Sequence, residues 1–407
     1  MIEKISKEKI IDTILLLYAF SLIISKFGIS LFGGILAIFS IIYIIKNKEK
    51  NKYNLFFFLF LFGVITQFFS IGGIKSSINF IYKNLFLLIT PFVIKYLDEE
   101  EISKSFLRVI EVSLFIGILK SFYNFYKVYN LTYTSAIRVD SFFDIGRWGI
   151  VLVMSLLLIL PNLYKKNIFS WIVFISGLVS LILNNSRGPI LSLILGVFIF
   201  LILGKKIKSI IGIFIIVLFF YYENVSNKSS LISEFSKRIS TVLITDSGGN
   251  GARLFMWKEN THFMLDGLKE GNKKLFYMGT GIKNREELFK SYIEKKEEYI
   301  NLKKDIKNAV SFSDAHNMYL NMFTQMGLIY SIFYYIIMIY FGFIVLKNYF
   351  KNKSDYILSY LSAIVAFYFC GIFYSYSFTY ETFLFFFILS LGLLGEIGEK
   401  NDINIRS

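Results

Sequence analysis

Over most of this chain, apolar residues neither alternate nor form narrow helical stripes. They gather in uninterrupted blocks separated by short polar stretches. A helix needs about 20 residues to cross the hydrocarbon of a bilayer. About twelve blocks approach that length, at 10–25, 28–45, 55–71, 80–97, 106–123, 146–163, 168–185, 189–204, 208–222, 318–346, 356–374 and 381–397. Hydrocarbon cannot satisfy backbone donors and acceptors, so only helices or closed barrels span it, and barrel strands would alternate instead of running on. The pattern predicts an all-α, polytopic integral membrane protein with about 12 transmembrane helices. The first block follows Lys4, Lys7 and Lys9, as in a secretory signal. No small-residue cleavage site comes after it and the second block begins at once, so it reads as an uncleaved first helix.

The polar residues divide the chain into a membrane part at 1–222 with spans 1–9, a large outer loop at 223–317, and spans 10–12 with a cytoplasmic tail at 318–407. A structureless loop of that size is unusual in a compact protein, which points to a fold of its own. Within it, Leu288, Tyr292, Tyr299, Leu302, Ile306 and Val310 recur at helical spacing between charged residues. This predicts an amphipathic helix over about 284–310, laid on the membrane domain or the bilayer interface. A solvated connector between two spans is the plainer alternative. Asp246-Ser247-Gly248-Gly249-Asn250-Gly251 reads as a flexible turn, and Gly279-Thr280-Gly281 as a tight one. The latter lacks the third glycine and the strand-turn-helix setting of a dinucleotide fingerprint. Two further outer loops are 124–145, with Arg138 and Asp144 in it and Arg147 at the start of the next span, and Asn184-Asn185-Ser186-Arg187-Gly188-Pro189.

Composition agrees with a membrane protein: 55% of residues are hydrophobic, and 46 Phe and 27 Tyr stand among 407, more than an ordinary soluble domain carries. The net charge of +15 suits nucleic-acid binding in the abstract, but its distribution points to topology. With the N-terminus inside, the inner loops hold Lys46, Lys48, Lys50 and Lys52, then Lys95 and Lys104, Lys165 and Lys166, Lys205, Lys206 and Lys208, and Lys347, Lys351 and Lys353. The short outer loops hold few basic residues, among them Lys26, Lys75, Arg138, Arg147 and Arg187. That is the positive-inside bias, and it places both termini, with Lys400 and Arg406, in the cytoplasm. Cys370 is the one cysteine, so no intramolecular disulfide forms. Two histidines 54 positions apart without a clustered carboxylate have no metal-ligand spacing, so neither a metal nor another cofactor is expected.

His262 and His316 are the two histidines, the groups suited by their ordinary pKa to proton transfer near neutrality. His262 reads most simply as a loop-surface residue. His316 ends the large polar segment, directly before a span, and alone would pass for an interfacial side chain. Arg187 alone would pass for an arginine snorkelling to headgroups. What singles them out is company: Arg187, Arg253 and His316 fall on the same side, each at the border of the bilayer. Two guanidiniums can grip a diphosphate through charge-assisted, often bidentate hydrogen bonds, and an imidazole beside them can take a proton from a hydroxyl.

These motifs resemble the O-antigen ligase family, whose membrane domain is shared with O-antigen and capsule polymerases. Asn184-Asn185-Ser186-Arg187-Gly188-Pro189 resembles its Ser-Arg-Gly step between two spans. Arg253-Leu254-Phe255-Met256-Trp257 followed by Gly279-Thr280-Gly281 resembles its outer-loop pattern. Ala315-His316-Asn317-Met318-Tyr319-Leu320, running on to Gln325-Met326-Gly327-Leu328-Ile329, resembles its His-Asn helix start. The likeness covers roughly residues 130–345; Pro189 stands where a small residue is more usual.

The resemblance implies a metal-independent, inverting glycosyltransferase of the C type, working on the outer face of the inner membrane. Its donor would be a glycan on undecaprenyl diphosphate and its acceptor lipid A-core. Arg187 and Arg253 would hold the diphosphate, His316 would act as base or acceptor positioner, and Arg138 and Arg147 would assist donor binding. A polymerase, using a second lipid-linked repeat unit as acceptor, shares this chemistry. A flippase for the same lipid is the rival of another class, although transporters place such charges near the bilayer midplane, often within repeated halves.

Overall fold

The structure is a computed structural model that describes residues 2–46, 52–97, 100–132, 138–206, 248–375 and 379–394. Every regular element among the described residues is an α-helix. In chain order these are α1 (Ile2–Ile24), α2 (Lys26–Lys46), α3 (Asn54–Phe69), α4 (Gly73–Lys83), α5 (Leu85–Tyr96), α6 (Glu100–Thr132), α7 (Ile145–Tyr164), α8 (Ile168–Asn184) and α9 (Arg187–Leu203). After the gap come α10 (Gly248–Lys269), α11 (Lys273–Met278), α12 (Arg285–Ile293), α13 (Glu297–Ile300), α14 (Lys304–Ala309), α15 (Met318–Asn352), α16 (Asp355–Cys370) and α17 (Tyr380–Leu393). Eleven of the expected spans coincide with helices; the remaining one, 208–222, lies outside the described residues, as do the 222/223 boundary and the tail expected in the cytoplasm. Four stretches are long and apolar enough to cross a membrane by length and composition: Lys26–Lys46, Gly73–Tyr96, Ile145–Tyr164 and Met318–Asn352. Several shorter apolar helices pack beside them.

α7 and α17 form the centre. Trp148 and the run from Ile150 to Met154 on α7 are wholly buried, as is nearly all of α17. The side chains that remain exposed, such as Phe58, Ile65, Ile172, Ile194, Phe343 and Phe350, are themselves large and apolar. A protein with apolar residues on both its inside and its outside is built for lipid.

The helices give the molecule two distinct ends. At one, Lys165 Nζ donates to Tyr356 Oη (3.0 Å), Lys206 Nζ pairs with Asp355 (2.9 Å) and Tyr349 Oη donates to Leu203 O (2.6 Å). At the other lie the loop 138–144, the turn at Asn185 and Ser186, and residues 371–375. The 20 residues of α7 separate them by about 30 Å. Lysine-rich turns and the arginine and histidine motifs therefore occupy opposite ends, as the charge bias requires.

Three expectations change. The helix predicted over 284–310 is three short helices, α12, α13 and α14. A continuous helix would put its ends about 40 Å apart, yet the Arg285 guanidinium donates to Phe312 O at 2.7 Å. The segment folds back because its apolar residues close round one cluster: Phe289 and Tyr292 pack on Phe263, and Tyr299 on both Phe255 and Phe312. Of the turn expected at 246–251, residues 248–251 open α10 instead, while Asp246 and Ser247 lie outside the described residues. Finally, the span expected to reach 374 ends at Cys370, and residues 371–375 form a corner.

Candidate active site

Each sequence motif builds part of one wall. Asn184, fully buried at the end of α8, donates through Nδ2 to Val139 O and Ile145 O (both 2.8 Å) and so pins the loop before α7. Asn185 ends α8 in the left-handed conformation (φ 52°), which asparagine tolerates. Ser186 Oγ accepts from Arg138 Nη2 (2.9 Å). Gly188 leaves room for the Tyr374 ring, since a Cβ there would lie 2.8 Å from Cε2. Pro189 fills the space that Gly149 leaves open, and in the first turn of α9 it sacrifices no intrahelical bond.

The histidine motif is anchored to the corner after α16. Asn317 caps α15, its Oδ1 accepting from Tyr319 N and Leu320 N (both 3.0 Å). Its Nδ2 donates to Ile372 O (3.2 Å) and its backbone N to Ser375 Oγ (3.1 Å), while Met318 N donates to Gly371 O (2.7 Å). His316 itself has φ 47°, left-handed for a residue with a side chain. Asp314 holds that turn by accepting from His316 N (2.7 Å), and its other oxygen lies 3.7 Å from Nδ1. Because 313–316 is not helical, two residues of separation bring these side chains together. Burial pushes the His316 pKa below its ordinary value; Arg253 and Arg285 push the same way, and Asp314 opposes them.

The Gly-x-Gly motif serves a different purpose. α15 is kinked at Gly327 (φ 77°), and Gly279 (φ 79°) lies against the kink so closely that a Cβ would meet Gln325 O and Gly327 N at 2.5 Å. Thr280 N and Gly281 N donate to Thr324 O and Gln325 O (2.9 and 3.0 Å). The carbonyls freed by the kink thus find partners in the outer segment, as buried carbonyls must. A second clamp is Arg285, 1% exposed, which donates to Asn260 Oδ1, Phe312 O and Thr324 Oγ1 (2.7, 2.7 and 3.1 Å). Burial lowers its pKa to about 10, with Asp314 and Glu286 opposing; it remains a cation at neutral pH.

These walls enclose a cleft of about 450 Å³ lined by Arg138, Arg147, Arg253, Asp314, His316 and Tyr374, among others. Four of the five expected residues therefore share it. Arg187 is not among its lining residues, although its neighbours Ser186 and Gly188 contact Arg138 and Tyr374. The arginines differ in their partners. Arg253 lies over the Tyr374 ring at 5.4 Å and, among the described residues, has no carboxylate in ion-pair range. Arg147 has two: Asp144 at 3.2 Å and the wholly buried Glu381 at 3.7 Å. His262 pairs with Glu259 (3.3 Å) on α10 and does not line the cleft.

Tyr374, Ser375, Glu381 and Arg285 were not singled out from sequence. Gly371, breaking an apolar run, and an acid at the first residue of another were the available signals. Nothing marked Arg285, whose partners lie 25 to 39 positions away.

Among the described residues no group of three or more His, Cys, Asp or Glu is arranged to hold a metal ion. The chemistry available is that of cations, one imidazole and a carboxylate beside it. No curated protein matches the chain. Residues 171–335 match the family described as O-antigen ligase. That stretch carries Arg187, Arg253 and His316. Over that stretch, this helical, apolar chain is similar to the O-antigen ligase family.

Proposed function

We propose that this protein is a ligase-type membrane glycosyltransferase. It moves a polysaccharide from undecaprenyl diphosphate onto lipid A-core at the outer face of the inner membrane, with inversion and without a metal. The observation that carries this reading is the meeting of Arg253, Arg138 and His316 in one cleft at the end of the bundle away from the lysine-rich turns. The acceptor hydroxyl attacks the anomeric carbon and its proton passes to His316. The bond from that carbon to the diphosphate oxygen breaks, and the departing diphosphate keeps the electron pair. Arg253 and Arg138, with Arg187 at the margin, stabilise the charge that develops there, as fixed cations in a partly desolvated site do most effectively.

Two features favour a lipid-linked donor. An apolar groove of about 440 Å³ runs between α15 and α16, beginning at Tyr319, three residues after His316. The cations gather at one end of the helices and not halfway along them, which suits chemistry at a membrane surface better than transport. The deciding experiment supplies the purified full-length protein with undecaprenyl-diphosphate glycan and, in parallel, lipid A-core or a second lipid-linked repeat unit. Product on lipid A-core supports the ligase. Product only between repeat units replaces that reading with a polymerase, and lipid flipping without any transfer replaces both with a transporter.

A further inference from the structure

Glu381 is the first acid of α17 and is fully buried. Its Oε1 accepts from Thr379 Oγ1 at 2.7 Å and lies 3.7 Å from Arg147 Nε. Its Oε2 is buried without a hydrogen-bond partner among the described residues. A carboxylate held so deep is costly unless a cation offsets it; the guanidinium of Arg147 is the cation in ion-pair range. Asp144 takes a second position on the same guanidinium, 3.2 Å from Nη1, and also caps α7 by accepting from Arg147 N. Arg147 is thus held at Nε and Nη1 by two carboxylates, and still lines the cleft. With both carboxylates ionised, the three groups together sum to one negative charge. Such an arginine is a poor anchor for a diphosphate, but two carboxylates restrain its guanidinium. Arg253, with no carboxylate in range among the described residues, is the contrasting case.

We propose that Glu381 is a positioning residue which, with Asp144, fixes Arg147 and cancels its charge, so that Arg147 binds neutral glycan hydroxyls and leaves the diphosphate to Arg253 and Arg138. The cleft then has an anionic subsite and a sugar subsite, distinguished by which arginine is neutralised. This inference rests on the glycosyl-transfer reading above and assigns its parts.

The test uses the full-length protein in nanodiscs, as wild type and as Glu381→Gln, Arg147→Gln, the double variant and Arg253→Ala, each checked for a monodisperse elution profile. Inorganic pyrophosphate binding is measured by calorimetry, and glycan transfer by product formation. Removing a negative charge several ångströms from the anion raises pyrophosphate affinity about threefold to tenfold, so Glu381→Gln binds pyrophosphate more tightly than wild type. The same variant transfers glycan at least tenfold more slowly. In the Arg147→Gln background the Glu381 substitution adds no further loss of transfer, because its effect passes through Arg147. A merely structural role predicts weaker binding and additive losses, and either result overturns the inference while leaving the transfer reading intact. A wild-type protein that binds no pyrophosphate, or an Arg253→Ala variant that binds it equally well, overturns the transfer reading and this inference together.

Discussion

His316 carries a backbone conformation that costs an ordinary side chain about 1–2 kcal/mol. Strain of this kind persists where the surroundings enforce it, and here Asp314, Ser375 and Gly371 do so through the bonds to residues 316–318. The stability and the chemistry of the position therefore separate. His316→Gly relieves the backbone and should melt at or above the temperature of His316→Ala, while both lose transfer by about 10²–10⁴. Equal activity of either variant and wild type removes the base from the mechanism. Protonation gives a second handle. A base must be neutral, and burial, Arg253 and Arg285 all favour neutral His316. The acidic limb of kcat/KM is expected below pH 6.5, the ordinary value, with activity lost as pH falls through it. Asp314→Asn removes the one opposing influence, so the limb should move to lower pH. A limb that rises instead contradicts the assignment.

Among elements, the join between the outer segment and the kinked α15 decides where the histidine turn sits. Gly279 and Gly327 both have positive φ, and neither leaves room for a Cβ because backbone atoms, not movable side chains, occupy the space. Alanine at either position adds backbone strain to a clash, a destabilisation on the order of 2 kcal/mol or more. Gly342, on the same helix, has nothing within 4 Å of a would-be Cβ. Gly342→Ala should leave the melting temperature in detergent unchanged or raised, since alanine is the better helix former, while Gly279→Ala and Gly327→Ala lower it. The helical spacing of residues 284–310 was legible in the sequence and still produced the wrong element. Periodicity reports which side chains want burial together; it does not report that Arg285 and Phe312 must meet.

For the molecule as a whole, the two chemically distinct ends make sidedness testable. Cys370 is fully buried and does not interfere. A cysteine replacing the exposed Asn301 should react with a membrane-impermeant maleimide added to intact cells, whereas one replacing the exposed Lys166 should react only after the membrane is opened. Reversed labelling would place the cleft in the cytoplasm and remove the lipid-linked donor on the outer face from consideration. At this scale the sequence read well. Block lengths located eleven helices, and the lysine bias separated the turns around Lys165, Lys206 and Lys353 from Arg138, Arg253 and His316. Both signals depend on transfer between water and hydrocarbon, which acts on each segment separately.

Sequence alone determined that this chain is helical and apolar, and it set Arg138, Arg147, Arg253 and His316 apart from the lysine-rich turns, because the bilayer imposes these properties on local stretches of chain. Only the tertiary structure decided which charges remain available. Arg147 and Arg253 look alike in the sequence, yet Glu381, 234 positions beyond Arg147, compensates the first, and Tyr374 stacks with the second. Compensation depends on distances of a few ångströms between elements remote along the chain, and packing alone sets those distances.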